Sequence, residues 1–159
     1  MDLGLLPTVA ASASREQLRK LNLISNVDFT RVKGRMNVDY PTSPELMDQF
    51  ELEVKRFLAL IAFDDGGRHV ASEKIDTMWH YFVLHTVEYR RFCKETFGVF
   101  IEHVPILPCE KPTLAKGYAH TKDRYAQLFG PPSPELWGRN DQICWGDCDE
   151  IKSEEPLLN

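Results

Sequence analysis

Apolar residues recur along this chain mostly at steps of three and four, the spacing of one helical face. No stretch alternates long enough to make a strand, and no segment repeats. The clearest run is Leu46, Phe50, Val54, Phe57, Leu58 and Ile61. Ser43-Pro44-Glu45 starts it, with a capping oxygen, a proline where a missing N–H costs nothing, and an acid in the first turn. Asp64-Asp65-Gly66-Gly67 ends it, because glycine readily takes the left-handed conformation that closes a helix. A long amphipathic helix is therefore predicted over 44–63.

The other elements follow the same logic. Ser14 with Gln17 reads as a capping box ahead of a helix from Arg15 to about Leu23, which offers Leu18, Leu21 and then Ile24 to a core. Asp28 can cap a short turn through Val32, while Gly34 and Asn37 point to a loop before Tyr40-Pro41. Ser72 opens a helix to about Leu84 with Ile75, Met78, Trp79 and Phe82 as its buried stripe. Thr86 and Glu88 mark a new start, so a break is expected near His85 and a second helix over 87–97, stopped by Gly98. Val99-Phe100-Ile101 is a short extended or irregular link to His103, and Pro105 and Pro108 forbid an immediate new helix. Thr113 opens a further helix with core candidates Leu114, Tyr118, Tyr125 and Leu128, weakened at Gly117 and ended by Gly130-Pro131-Pro132. Ser133-Pro134-Glu135 then gives one short turn that sets Trp137 against the body. The expected fold is all-α, a compact bundle of about five helices with a loose N-terminal arm. A single helical domain is expected over 1–138, and a flexible, acidic, cysteine-containing tail over 139–159.

Composition narrows the function classes. With 159 residues, 43% of them hydrophobic and 27% charged, the chain suits one globular domain. A formal charge of −5 supplies no general basic field, which weighs against nucleic-acid binding. The local group Arg31, Lys33 and Arg35 is the exception. No apolar run approaches the roughly eighteen residues of a membrane span, so none is expected. The segment MDLGLLPTVAASAS lacks the basic start of a signal peptide and is cut by Pro7. Cys93, Cys109, Cys144 and Cys148 are too scattered for a disulfide framework, so reduced thiols and a cytoplasmic location are expected.

Candidate chemistry concentrates between Ser72 and His103. Asp76 and His80 lie four residues apart and share a helix face, and His103 arrives from a separate segment that can fold back over them. A carboxylate and two imidazoles are the donor set of a zinc site with an open position, or of a non-haem iron centre. Cys93 is the candidate fourth ligand, and its thiolate would favour zinc. Zinc and iron are thus the candidate cofactors. Plainer roles compete at each position. An aspartate one turn before a histidine can simply orient its ring, and Cys93 suits a small buried hydrophobe because nothing in the sequence lowers its pKa. His85 is expected to bond a free carbonyl at the helix break, and His69 and His120 to sit on the surface. Cys144-x-x-x-Cys148 lacks the second pair of a zinc knuckle. Arg90-Arg91 and the group Lys116, Lys122 and Arg124 read as solvated helix faces. Phosphate-loop, serine-hydrolase and zincin motifs are absent from the sequence.

Asp76-x-x-Trp79-His80, Leu84, Tyr89, Cys93 and Phe97-Gly98 together resemble the recurring pattern of the glycine-rich domain-containing protein-like family of plants and, in shorter forms, bacteria. The resemblance covers residues 72–103, with the 44–63 helix as an upstream partner. Phe82 stands where that pattern carries a second histidine, and with nine glycines this chain has no glycine-rich tail. The resemblance implies no catalytic activity; it implies that Asp76, His80, Tyr89 and Cys93 act jointly. The expected function is a small soluble helical module that binds a protein partner or holds a structural metal, without turnover. The alternative is a metal-dependent enzyme, hydrolytic with zinc or oxidative with iron, using Asp76, His80 and His103.

Overall fold

The computed structural model describes residues 1–64, 69–104 and 111–138, except the side chains of 111–113. Among them are eight helices and no strand: α1 (Pro7–Ser12), α2 (Arg15–Asn26), α3 (Thr30–Asp39), α4 (Pro44–Phe63), α5 (Glu73–Leu84), α6 (Thr86–Phe97), α7 (Lys111–Phe129) and α8 (Pro134–Trp137). The fold is all-α. Three of the four serine starts cap their helices through the side chain, whereas Ser133 precedes α8 without a side-chain cap bond. Ser14 and Gln17 form a reciprocal capping box, and Ser43 and Ser72 accept hydrogen bonds from the amides of Leu46 and Ile75. The tail 139–159 with Cys144 and Cys148, and likewise Cys109 and the Gly66-Gly67 stop, lie outside the described residues.

α4 packs against α2, α5 and α7, and it is more enclosed than a one-faced amphipathic helix. Thirteen of its twenty residues are buried, including Glu51, Glu53 and Lys55. At its start Met47 turns inward and Leu46 faces solvent. Buried charge requires partners, and each flank of the helix supplies them. On one flank Lys55 donates to Glu51 at 2.7 Å and to the Ser25 carbonyl at 3.1 Å, while Lys33 reaches the second Glu51 oxygen at 2.7 Å. On the other, Glu53 Oε1 accepts from Arg56 at 2.9 Å and from the Tyr125 hydroxyl at 3.0 Å, and Oε2 accepts from the Trp137 indole at 2.7 Å. Glu53 thereby ties α7 and α8 to α4.

Besides the helix count, eight among the described residues against the five or so expected, four expectations need correction. The N-terminal arm is docked rather than loose. Leu3 is buried, its carbonyl accepts from Arg56 Nε at 2.8 Å, and the Leu6 amide donates to the Leu128 carbonyl at 2.8 Å. Gly4 suits this path because it has φ +68°, and a Cβ there would lie 2.9 Å from Arg56 Nη2. The second correction is α3, a full helix through the expected loop at Gly34 and Asn37. Val32 and Met36, one turn apart, are buried beneath it, and Gly34 faces open space, so its cost is only propensity. α2, the third, runs on to Asn26 and buries Ile24, while Leu18 is exposed. The fourth is His69, whose side chain is only 1% exposed and lies parallel to the exposed His120 ring at 6.1 Å between centroids. Its Nε2 lies 3.0 Å from Asp64 Oδ2 but out of line for a hydrogen bond, and its Nδ1 has no partner among the described residues.

Two outcomes follow from these buried groups. Removing the Glu53 carboxylate by Glu53→Ala strands three donors, and the loss expected in a denaturant melt is about 3–5 kcal/mol. Burial, opposed in part by Asp64, lowers the His69 pKa below its ordinary 6.5. The folded chain therefore binds this proton later than the unfolded chain. Its stability contribution is complete above about pH 6.5 and falls as pH drops toward the folded value. His69→Gln should flatten the pH dependence of stability between about pH 7 and 5 in parallel denaturant melts.

Candidate functional site

The site grows from the corner where α5 turns into α6 and from the chain that returns after α6. His85 sits at the corner and donates from Nδ1 to the Tyr81 carbonyl at 2.8 Å, closing the end of α5. Gly98, at φ +75°, ends α6 in the left-handed conformation and sends residues 99–104 back over the two helices as an irregular strap. Along the strap burial alternates. Phe100, Glu102 and Val104 face out, while Ile101 and His103 are partly covered.

A chain of hydrogen bonds holds the strap down. The Trp79 indole donates to the Tyr89 hydroxyl at 3.2 Å, and that hydroxyl donates to the Ile101 carbonyl at 2.7 Å. Burial first, and then the neighbouring Cys93, push the Tyr89 pKa far up, so the phenol keeps the proton it donates. Phe100 packs edge-on against the Tyr89 ring at 5.3 Å. Two residues further on, His103 Nε2 lies 3.0 Å from Asp76 Oδ1. The His103 side chain is only 5% exposed and stands edge-on to the Trp79 ring, with centroids 4.7 Å apart. Since an ionised carboxylate only accepts, Nε2 carries the proton in this pair and Nδ1 is the ring's remaining nitrogen.

The structure thus gathers three of the sequence candidates. Asp76 and His103 are in direct contact, and the exposed His80 ring lies 5.5 Å from that of His103. Cys93 sits elsewhere, against the Tyr89 hydroxyl and the Ile101 amide, further back along the strap. Burial pushes its thiol up in spite of both hydrogen bonds, so it stays protonated. Among the described residues no three His, Cys, Asp or Glu side chains are grouped so as to hold a metal ion. Chemically, the arrangement orients an imidazole with a carboxylate and leaves a second imidazole open to solvent. Sequence reasoning missed the bridging role of Tyr89. It also missed the apolar side chains around the site: Leu84, Val87, Val99, Phe100 and Val104 are all exposed, Val104 at 72%. The only signal was their position on either side of a helix stop.

Comparison with protein families places the chain. It belongs to the UCP032817-like family, whose model matches residues 19–118, from α2 into α7 and across the whole of this site. The glycine-rich domain-containing resemblance is thereby corrected, because the matching family is a different one and its name carries no activity. Comparison with curated proteins gives no match, and comparison with solved structures gives none either. Among the described residues no helix is long and apolar enough to cross a membrane.

Trp79 packs on Phe57 at 5.2 Å and anchors both the Tyr89 bridge and the His103 ring, whereas His80 is exposed. Trp79→Ala should cost about 3–5 kcal/mol in a denaturant melt. His80→Ala should stay within about 0.5 kcal/mol of the parent. Equal losses would mean that the packing assigned to Trp79 is wrong.

Proposed function

We propose that this chain is a small helical binding module, a single compact bundle over 1–138 in the cytoplasm, that engages a protein partner and performs no turnover of its own. The observation that carries the reading is the pinned strap. Three exposed apolar side chains, Val99, Phe100 and Val104, sit on a segment whose inner residues are locked to α5 and α6. Leu84, one turn beyond His80 on α5, is exposed as well. Exposed apolar side chains held in a fixed conformation lose little freedom on binding, so contact area converts efficiently into affinity. A photo-crosslinking residue at position 100 should give one discrete adduct in cells, and Val104→Asp should abolish it while leaving the melting midpoint unchanged. Val38 on α3 is 68% exposed and serves as the control. Labelling from position 38 equal to that from position 100 would overturn the reading.

A second reading is favoured by the contact of Asp76 with His103 and the nearness of His80. In this reading the three side chains hold a structural zinc or iron after a modest rotation of His80. The metal-dependent enzyme would use the same set, with Cys93 left out as a thiol. Metal analysis of protein purified without chelator should then find a stoichiometric ion that His80→Ala removes. Protein free of metal would leave the partner reading alone.

A further inference from the structure

The outer face of α6 leaves positive charge unanswered. Val87, Arg90, Arg91 and Lys94 recur at steps of three, one and three, so they share one stripe about 10 Å long. All four side chains are exposed, Val87 at 76%. Among the described residues none of the three cations has an ion pair or a side-chain hydrogen bond. Cations elsewhere are commonly matched: Arg35 pairs with Asp39, Lys33 with Asp48 and Glu51, and Arg124 with Asp64. The carboxylates of α6 itself do not cancel the stripe. Glu88 is taken by Arg31 at 3.1 Å, which leaves Glu95 at the margin against three cations.

The balancing charge lies further along the same chain. Residues 139–159 hold six carboxylates against Arg139 and Lys152, so most of the formal charge of −5 is theirs. Five of the six fall within 147–155, with Ile151 among them. Nine steps of chain separate Gly138, the last described residue, from Asp147. Fully extended they reach about 30 Å, the diameter of a small domain, so the acidic stretch can arrive at any face of the bundle.

We propose that the outer face of α6 docks the acidic segment 147–155 of its own chain. Asp147, Asp149 and Glu150 pair with Arg90, Arg91 and Lys94, and Ile151 covers Val87. An extended backbone over 147–150 spans about 10 Å, the length of the stripe. Exposed ion pairs are weak singly, but a tether holds the segment at about millimolar effective concentration and lets several pairs form together. A second copy of the chain brings the same negative excess and is repelled as a whole, which favours the segment already attached.

The test is zero-length carbodiimide crosslinking of the full chain at low micromolar concentration, read by peptide mass spectrometry. Lys94 is expected to join Asp147, Asp149 or Glu150 within one chain. Its yield should exceed that of Lys116, an exposed lysine on α7, by about fivefold or more. Raising the salt from about 0.01 to about 1 M shortens the screening length from about 30 to about 3 Å and should remove most of the link. Arg90→Glu together with Arg91→Glu should lower the yield about fivefold. Both side chains are in solvent, so the melting midpoint of that variant should match the parent. Absence of the Lys94 link, equal joining at Lys116, a yield indifferent to salt, or a link that forms only between chains as concentration rises would overturn the assignment.

Discussion

A carboxylate without water must be surrounded by donors, and Glu53 meets that demand with residues from three helices. Arg56 comes from its own helix, Tyr125 from α7 and Trp137 from α8. None of the three is interchangeable, because each fills a different lone pair or steadies another donor, as Arg56 does for the Tyr125 hydroxyl at 2.8 Å. The same guanidinium holds the Leu3 carbonyl, so the N-terminal arm is secured through the group that neutralises Glu53. Apolar contact alone would hold α7 against α4 in several registers. A desolvated charge accepts one.

The strap follows a similar principle on a smaller scale. Its inner residues are fixed by polar anchors at two points, Ile101 through Tyr89 and His103 through Asp76, with Trp79 touching both. Asp76 and His80 share a helix face, yet they act differently. Asp76 turns toward the strap and orients His103, and His80 stays in solvent. What makes the face distinctive is therefore the rigidity of an otherwise irregular segment, and the proposed partner surface draws on that rigidity.

Much of the helix framework was readable because its signals are local. A serine oxygen three residues before a free amide, a proline at a first helical turn and Gly98 at a helix end act within a few residues, and the starts at Ser14, Ser43 and Ser72 lie where those signals put them. The return of His103 to Asp76 was anticipated from the glycine stop, though not the bond through Nε2. The failures share a non-local cause. Glu53 looks like an ordinary polar position on α4 until residues 72 and 84 places further on supply its donors. His69 is covered by His120 from a distant helix, and α3 overcomes its glycine by packing that no local window reveals. The N-terminal arm was misjudged for the same reason, since its anchor is the Leu128 carbonyl at the far end of α7.

The alternating strap carries one more implication. Its inward and outward residues are separated by single steps, so adding or deleting one residue between Gly98 and Ile101 would turn the segment over. Glu102 would then be pressed toward the indole of Trp79, and the histidine would be presented to water. Chain length in this connection is consequently a constraint as strict as the identity of any side chain in it, and natural drift here should proceed by substitution rather than by insertion.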